Sequence, residues 1–350
     1  MSKFIKNLFI VFITFSLILT LIILVILWNF SNNIPDYKFL KNYKPPVSSK
    51  VYSGNGELVA DFSKEKRIFV PYSSIPKNVI NAFLSAEDKN FFSHPGVDAK
   101  GVLRAVINNI KNILSSRRLE GASTITQQVA KNFLLTNEVS LNRKLKEAIL
   151  AFRIERALTK ERILELYLNQ IYLGSGAYGV AAASLEYFDK SIKDLDYAEA
   201  ALLAALPKAP SRYNPYKDIK LAEFRRNLVF KNLLDNNFIQ KNEYEKLIKK
   251  KIEVKKSKKI FLEDSQYYIE DVRKNIIDKL TYEKVYKQGF NINIPINLEL
   301  QKFATESLRD GLIEYDKRKG WRGPLTNKNF NNNWSQNLEK YRLENSINWK

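Results

Sequence analysis

Cysteine is absent from this sequence, and histidine occurs once in 350 residues. Without cysteine the chain can form neither a disulfide framework nor a thiolate metal site. A zinc site built from histidine side chains is excluded too, because His94 would be the only such ligand. Any metal ion bound by this chain would therefore be a hard cation held by oxygen ligands.

Acidic residues are too few to balance the basic ones. The sequence has 57 Lys and Arg against 37 Asp and Glu, which gives a formal net charge of +20. Such an excess predicts an anionic partner, and nucleic acid, acidic lipid or a phosphorylated substrate would each satisfy it. Hydrophobic residues make up 45% and aromatic residues 12% of the chain. That content indicates folded domains and excludes a largely disordered chain.

Only one long apolar run occurs, at residues 8–28. As a helix rising about 1.5 Å per residue it would span roughly 30 Å, the thickness of a bilayer's hydrocarbon core. The run ends at Trp28 without a small-residue cleavage site, so it predicts an uncleaved transmembrane anchor. Residues 1–7, with Lys3 and Lys6, are then a cytoplasmic tail, although lysines beyond the run weaken the charge bias.

The pattern after the apolar run changes twice. Residues 29–72 are predicted to form an extended stalk and a β hairpin, in which two strands flank Ser53-Gly54-Asn55-Gly56 and Arg67 to Val70 adds a third strand. Residues 73–250 show helical periodicity almost throughout. The sequence therefore predicts a mainly α fold with a small β hairpin region and an N-terminal transmembrane helix.

One acidic residue lies where a helix should be apolar. In a helix over residues 78–89, Ile80, Phe83 and Glu87 occupy positions i, i+3 and i+7 of the stripe that faces the interior. Removal from water raises the pKa of a carboxyl group toward the range useful for proton transfer. Glu87 is therefore a catalytic candidate. The alternative is a frayed helix end at which Glu87 is solvated beside its charged neighbours.

A second carboxylate, Glu147, lies on an apolar face of the helix predicted over residues 142–158. Arg143 and Lys144 precede it by about one turn, at positions where helical side chains meet. Glu147 is a second candidate for a role in catalysis. An ordinary helical ion pair is the alternative interpretation.

Small hydroxyl and amide side chains are concentrated between Gly121 and Gln128, just before a predicted helix that carries Lys131. Such a loop can offer backbone N–H groups, hydroxyls and a lysine to an anion at the helix N-terminus, and phosphate or diphosphate is the natural ligand. Ser and Thr clusters also make plain helix N-caps, so both interpretations stay open.

These features together point toward sugar chemistry at a membrane. Two carboxylates flanking a glycosidic centre are the minimal apparatus for making or breaking sugar linkages. A phosphate leaving group needs cations, whereas hydrolysis of a glycan does not. The anion-binding loop and its basic neighbours therefore favour transfer from a phosphate-linked sugar.

Five ordered blocks of this sequence resemble the motifs of family 51 peptidoglycan glycosyltransferases. The blocks are Glu87-Asp88-x-x-Phe91-x-x-His94-x-Gly96, Gly121-x-Ser123-Thr124-x-Thr126-Gln127-Gln128, Arg143-Lys144-x-x-Glu147, Ile163-Leu164-x-x-Tyr167-Leu168-Asn169 and Lys208-Ala209-Pro210-x-x-Tyr213-Asn214-Pro215. The resemblance covers roughly Val51 to Leu234. An anchor helix ahead of such a domain is similar to the arrangement in class A penicillin-binding proteins of the 1A type.

The resemblance implies a lysozyme-like helical domain that polymerises lipid II, the undecaprenyl-diphosphate-linked disaccharide-pentapeptide. Glu87 would be the general base that takes the proton from the acceptor sugar 4-hydroxyl as it attacks the anomeric carbon of the lipid-linked donor chain. Glu147 would assist near the donor. The side chains expected to hold the diphosphates and sugars, or to shape the cleft, are Arg104, Ser123, Thr124, Gln127, Gln128, Lys131, Arg143, Lys144, Lys146 and Asn169.

The same resemblance implies where such an enzyme works. Its partners would be lipid II, the growing lipid-linked glycan chain, the membrane and other cell-wall synthesis proteins, but not nucleic acid. The catalytic domain would stand on the outer, periplasmic side of the cytoplasmic membrane, held by a single-pass helix with its N-terminus inside. A divalent cation such as Mg²⁺ is compatible with the resemblance, which requires no cofactor and assigns no metal ligand here.

A transpeptidase domain is not expected in this chain. Residues 251–350 are predicted to be a linker and the incomplete start of a second domain, since the segment 315–324 is similar to one near the start of the second half of 1A-type members. Lys-Thr-Gly is absent, and Ser-x-x-Lys occurs only at Ser63 and Ser74, ahead of the helical core. A penicillin-sensitive transpeptidase needs these motifs together.

Two alternative functions are a lysozyme-like glycan-cleaving enzyme and an inactive membrane scaffold. One further expectation concerns Val106, Ile107, Ile110 and Leu114, which recur at helical spacing. These side chains either enter the bilayer beside the cleft or pack into the core.

Overall fold

The computed structural model describes residues 7, 9–10, 12–18, 20–21, 34–43, 45–46, 48–63, 65–115, 121–136, 138, 140–255 and 263–320. Of the predicted cytoplasmic tail only residue 7 is among them, and of the anchor predicted at 8–28 only residues 9–10, 12–18 and 20–21. The chain beyond residue 320 also lies outside the described residues. Within the described residues, no helix combines the length and apolarity needed to cross a membrane.

The described chain is mainly helical, as its sequence predicts. Beyond residue 34 the α-helices are α1 (Lys77–Glu87), α2 (Ala99–Leu114), α3 (Ile125–Leu134), α4 (Leu141–Ala157), α5 (Lys160–Gln170), α6 (Val180–Phe188), α7 (Tyr197–Ala205), α8 (Ile219–Asp235), α9 (Lys241–Leu247), α10 (Gln266–Leu280), α11 (Tyr282–Lys287) and α12 (Leu298–Arg318). The strands are β1 (Ser49–Tyr52), β2 (Leu58–Phe62), β3 (Lys66–Arg67), β4 (Ala177–Tyr178) and β5 (Asn291–Asn293).

Helix α7 lies at the centre of the helical domain, which comprises α1 to α9. Its sequence is rich in alanine, and every residue from Ala200 to Leu206 is buried. Small side chains let neighbouring helices approach closely, and α1 and α8 both pack against α7. Asp196 caps the helix with a capping box closed by Glu199, which satisfies backbone donors at its start. The Glu87-bearing helix therefore packs against a deeply buried helix of the domain.

A second helical layer is formed by α3, α4 and α5, which pack against one another. Each begins at a hydroxyl side chain that accepts a hydrogen bond from a backbone N–H of its first turn: Thr124 for α3, Ser140 for α4 and Thr159 for α5. Such caps fix where a helix begins and are worth about 1 kcal/mol each. This layer carries most of the predicted site residues.

A second lobe combines β1 and β2, which precede the helical domain in the sequence, with α10, α11 and β5, which follow it. The predicted hairpin forms as β1 and β2, but β1 also pairs in parallel with β5, giving a sheet of order β2-β1-β5. Apolar side chains of this sheet share a separate core with α10 and α11. The hydroxyl of Ser49 donates to the Val285 carbonyl at 2.5 Å, which ties the hairpin to α11.

The predicted third strand of the hairpin is wrong. Of the segment from Arg67 to Val70 only Arg67 is in a strand, β3, and β3 pairs in parallel with β4 of the helical domain. From there the chain runs along α5, where the Asn169 side chain accepts from the Val70 N–H and donates to the Val70 carbonyl, both at 2.8 Å. Strand β3 and the residues that follow it therefore pack on the helical domain, and they do not pair with the hairpin.

Candidate active site

Glu87 is the last residue of α1 and lines a cavity of about 600 Å³. Its Oε2 accepts a hydrogen bond from the Gln128 side-chain nitrogen on α3, at 2.7 Å. Burial raises the pKa of Glu87, and this effect outweighs the Gln128 hydrogen bond and the charges of Arg225 and Lys208, which lower it. The carboxyl group is therefore oriented by one neutral donor and has a pKa shifted in the direction that a general base requires.

Basic side chains outnumber acidic ones among the residues that line this cavity. The basic residues that line it are Lys89, Arg104, Lys208 and Arg225, and the acidic residues are Glu87, Asp88 and Asp235. Asp88 is engaged elsewhere, since both its carboxylate oxygens contact the His94 ring. The remaining cations exceed the remaining acids, so the cavity suits a ligand that brings its own negative charge.

Asp88 and His94 lock the loop that follows Glu87. The Asp88 carboxylate accepts from His94 Nε2 at 3.0 Å and from the backbone N–H of Ile125 at 2.9 Å. The Gly96 N–H donates to His94 Nδ1 at 3.1 Å, which assigns the ring proton to Nε2. Because Ile125 opens α3, the carboxylate also sits at a helix N-terminus, where negative charge is stabilised. The backbone next to Glu87 is thereby fixed to the start of α3.

Gly96 brings this loop into contact with the helix that carries Glu147. Its φ is +106°, and a Cβ at this position would lie 2.8 Å from the backbone C and O atoms of Ala151. Ala151 follows Glu147 by about one turn of α4. The Gly96 carbonyl in turn accepts from the Thr124 hydroxyl at 2.6 Å. The loop after Glu87, the start of α3 and the middle of α4 are therefore packed against one another.

Glu147 is 1% exposed and fully paired. It accepts from Arg143, and Lys144 donates to its second oxygen at 2.5 Å. Lys144 also donates to the Ser123 hydroxyl at 2.9 Å, which ties α4 to the loop before α3. Glu147 is not among the residues that line the Glu87 cavity. In this geometry its charge is compensated inside the protein, and it holds two cations in place; the catalytic role predicted for it stays a prediction.

Some residues between Gly121 and Gln128 cap helix α3, and others contact Glu87 or line its cavity. Thr124 and Gln127 form a capping box with each other, so the N-cap interpretation that the sequence left open describes these two residues. Gln128 contacts Glu87, and Gly121 lines the cavity. Two backbone N–H groups at this N-terminus already have protein partners, since the Ile125 N–H donates to the Asp88 carboxylate and the Gln127 N–H donates to the Thr124 hydroxyl.

The other predicted binding residues are spread over the domain. Arg104 lines the cavity, whereas Lys131 and Lys146 lie on α3 and α4 and do not line it. The Asn169 amide is occupied by backbone groups of Val70 and Glu165. Within the described residues, no group of three or more Asp, Glu or His side chains lies close enough to hold a metal ion.

Sequence reasoning missed Arg225, and it left Lys208 out of the predicted site. Arg225 follows the buried Ala222 by three residues and precedes the buried Val229 by four, so it interrupts the apolar stripe of α8. Its Nε is buried without a hydrogen-bond partner among the described residues. A charge on an interior-facing helix stripe is the signal that singled out Glu87, but here it would have pointed equally to Arg226, which is 2% exposed and does not line the cavity.

Comparison with known proteins adds an independent line of evidence. Residues 55–234 match the sequence profile of the family described as Transglycosylase. The chain is 44% identical over 323 residues to penicillin-binding protein 1A of Rickettsia prowazekii, an alignment that covers 92% of this chain and 41% of that protein. Penicillin-binding protein 1A of Aquifex aeolicus is 46% identical over 290 residues, covering 83% of this chain and 39% of that protein.

A solved structure shares this architecture. The crystal structure of penicillin-binding protein 1A from Haemophilus influenzae aligns with a TM-score of 0.52 and 28% sequence identity, over 85% of this chain and 35% of that one. The chain spans about 40% of the length of the curated relatives it matches.

Proposed function

The chain belongs to the transglycosylase family, and from this premise we propose that it is a peptidoglycan glycosyltransferase that polymerises lipid II into glycan strands. The observation that carries the proposal is Glu87, a carboxyl group with a raised pKa in a cavity where Lys208 and Arg225 are close enough to influence it. A base beside cations fits transfer from a diphosphate-linked donor.

The proposed step is a single displacement at the anomeric carbon of the donor chain. Glu87 takes the proton of the acceptor sugar 4-hydroxyl, whose oxygen forms the new bond to that carbon. The bond to the lipid diphosphate breaks, and its electron pair leaves with the diphosphate. Cations lining the cavity stabilise the negative charge of diphosphate groups, while Gln128 keeps Glu87 oriented.

Labelled lipid II tests this proposal against its main alternative, a lysozyme-like glycan-cleaving enzyme. Growth of lipid-linked chains from labelled lipid II supports synthesis. Shortening of preformed glycan without growth would support cleavage, and neither product would support an inactive scaffold. Parallel reactions with Mg²⁺ and with EDTA test the divalent cation that the family resemblance suggests; no step above is assigned to a metal ion.

Arg225 provides a prediction that separates charge from packing. We expect Arg225→Ala to reduce polymerisation at least about tenfold, because a half-buried cation that lines the Glu87 cavity is lost. Arg225 also lowers the pKa of Glu87, so the acidic limb of the pH–rate profile should move to higher pH. Arg225→Lys should restore part of both properties.

Arg212 is a matched control for this substitution. Its guanidinium carbon lies 5.9 Å from the Tyr213 ring centroid, the same distance as that of Arg225, but Arg212 is exposed and does not line the cavity. Equal activity losses in Arg212→Ala and Arg225→Ala would contradict a specific role for Arg225.

Membrane attachment is the second part of the proposal. We propose that residues 8–28 anchor the chain in the cytoplasmic membrane with the catalytic domain on its outer face, where lipid II and the growing chain are also held. Helix α2 supports contact with the bilayer, because Val106, Ile107 and Ile110 are 51%, 47% and 58% exposed instead of packed in the core. The Leu114 side chain lies outside the described residues.

The absence of cysteine makes this contact measurable. A single cysteine introduced by Ile107→Cys can be labelled with an environment-sensitive fluorophore in the full-length chain reconstituted into vesicles. We expect a blue-shifted emission that a quencher placed in the acyl chains suppresses, since apolar side chains at this position enter the interface. Leu308→Cys, on the equally exposed helix α12, is the control and should report water. A water-like signal from both positions would contradict bilayer contact by α2.

A further inference from the structure

Tyr167, on helix α5, carries a hydroxyl group that the packing of the core does not use. The side chain is 1% exposed, and its hydroxyl oxygen is buried without a hydrogen-bond partner among the described residues. Buried polar groups in proteins are nearly always hydrogen-bonded, because an unpaired one lowers the stability of the fold. Phenylalanine would fill the same space without this cost. The hydroxyl therefore requires an explanation other than packing.

The surroundings of Tyr167 place this hydroxyl near the end of α1. Its ring packs edge to face against Phe83, with ring centroids 6.2 Å apart and planes inclined by 76°. Phe83 precedes Glu87 by one turn of α1, so the two side chains lie on the same side of that helix. Burial raises the pKa of Tyr167 well above its usual value, and the charges of Glu87 and Asp88 raise it further. The phenol is therefore protonated at neutral pH and can donate a hydrogen bond.

One of these two carboxylates has room for another donor. Asp88 is already engaged by the loop that follows it and by the start of α3. Glu87 accepts one hydrogen bond among the described residues, from the Gln128 side chain to Oε2. An ionised carboxylate has about four acceptor positions, so Glu87 can accept a second bond. Tyr167 does not line the Glu87 cavity, and a bond from it would leave the cavity side of the carboxylate open to substrate.

We propose that Tyr167 is a positioning residue for the general base, and that its hydroxyl donates a hydrogen bond to Glu87 when the carboxylate is ionised for catalysis. Hydrogen bonds to an ionised acceptor are shorter and stronger than neutral ones, and catalytic hydrogen bonds often tighten only in the complex with substrate. Gln128 on α3 and Tyr167 on α5 then hold the carboxylate from two helices. The unpaired hydroxyl is a loss of stability retained for function. The role of the base rests on the proposed function, whereas the contact between Tyr167 and Glu87 does not.

Other charged groups also face Glu87. The charged side chains that line the cavity beside it are Lys89, Arg104, Lys208, Arg225, Asp88 and Asp235. Residues 116–120, with Arg117, Arg118 and Glu120, precede the cavity residue Gly121 and lie outside the described residues. Tyr167→Phe removes one oxygen atom and leaves all of these charges in place. A change in the titration of Glu87 in this variant therefore measures the hydroxyl alone.

The pH–rate profile of Tyr167→Phe tests the positioning role. We expect its acidic limb to move to higher pH by about one unit, because the ionised form of Glu87 loses a donor, and the rate on that limb to fall about tenfold. The KM for lipid II should stay unchanged, since Tyr167 does not line the cavity. Its melting temperature at acidic pH should be equal to that of wild type or higher, because an unpaired hydroxyl is removed.

Tyr187→Phe is the matched control. Tyr187, on α6, is as deeply buried as Tyr167, but its hydroxyl donates to the Leu173 carbonyl at 3.0 Å and it does not line the cavity. This variant should have a lower melting temperature and an unmoved pH–rate profile. Equal falls in melting temperature in the two variants, or a pH–rate profile that Tyr167→Phe leaves in place, would overturn the positioning role.

Thermal unfolding of the full-length chain as a function of pH tests the contact without any polymer. Because the pKa of Glu87 is raised in the folded protein, stability from this group is lost as the pH rises through that pKa, and Glu87→Gln should remove the loss. Tyr167→Phe should extend the loss to higher pH, but not when it is combined with Glu87→Gln. No extension in the single variant, or the same extension in the combined variant, would contradict the contact. A Glu87-dependent extension in protein whose wild type makes no polymer supports the contact and contradicts the proposed function.

Discussion

Glu87→Gln is expected to lower lipid II polymerisation by about 10²- to 10⁴-fold, the range found when a general base is removed. Glutamine has nearly the same shape and can still accept the hydrogen bond from Gln128. It cannot take a proton from the acceptor hydroxyl. The change therefore removes the proposed chemistry while leaving the contacts of the side chain in place, and the initial rate of chain growth from labelled lipid II measures it.

The folded protein should not lose stability in this variant at neutral pH. Burial raises the pKa of Glu87 in the folded state, so the ionised form is less favourable there than in the unfolded chain. Stability associated with this group is then fully present at acidic pH and is lost as the pH rises through the raised pKa. Glutamine removes that loss, and thermal unfolding at pH 7 should show an equal or higher melting temperature.

The pH–rate profile and a second acid complete this test. The rate of the wild type should fall as the pH is lowered through the raised pKa of Glu87, because only the ionised carboxylate accepts the proton. Asp235→Asn makes the same chemical change at another acid lining the cavity and should have a much smaller effect. Near-normal polymer from Glu87→Gln, or equal losses in both variants, would contradict the assignment of the base.

Gly96→Ala is expected to destabilise the helical domain and to abolish activity through the backbone alone. A non-glycine residue at φ +106° is strained, and the new Cβ would meet the backbone of Ala151 at 2.8 Å. Strain of this kind costs about 1–3 kcal/mol and overpacking about 1–3 kcal/mol more, so we expect a loss of about 2–6 kcal/mol in the free energy of unfolding. The backbone of α4 cannot move aside as a flexible side chain would, and the loop must shift and carry Glu87 with it.

Gly311→Ala is the matched control, because a Cβ at this helical position has nothing within 4 Å. Alanine is the better helix former by about 0.5–1 kcal/mol, so this variant should be neutral or slightly more stable. Unfolding by urea, read by circular dichroism, compares the two. A Gly96→Ala protein as stable and active as wild type would show that the close packing of the loop on α4 is not needed.

The sequence predicted the features that depend on local periodicity. The helix predicted over 78–89 is observed at 77–87, and the hairpin around Ser53-Gly54-Asn55-Gly56 forms as β1 and β2. Glu87 was found because a charge on an apolar helix stripe stands out from its neighbours. These patterns repeat every two or 3.6 residues, so a short stretch of sequence contains all the information required.

Features that depend on distant or ambiguous partners could not be predicted in this way. No local sequence pattern predicts that β1 pairs in parallel with β5. The segment that contains β3 was assigned to the hairpin because its true partner, β4, is more than 100 residues further along the chain. Thr124 and Gln127 have the same hydrogen-bonding groups whether they cap a helix or bind an anion. Only the positions of their partners in the structure separate the two uses.

The pairing of β1 with β5 has a consequence for folding during synthesis, because the two strands are made at different times. Ser49 and Val285, which share a hydrogen bond, are 236 residues apart, so the hairpin leaves the ribosome long before its third strand exists. The helices made in between can fold before the residues that bury Val51 and Val59, among them Val285, have been synthesised. A nascent chain arrested before residue 285 should therefore carry a finished helical domain and an unpaired, apolar hairpin edge, a natural target for chaperones and proteases in its compartment.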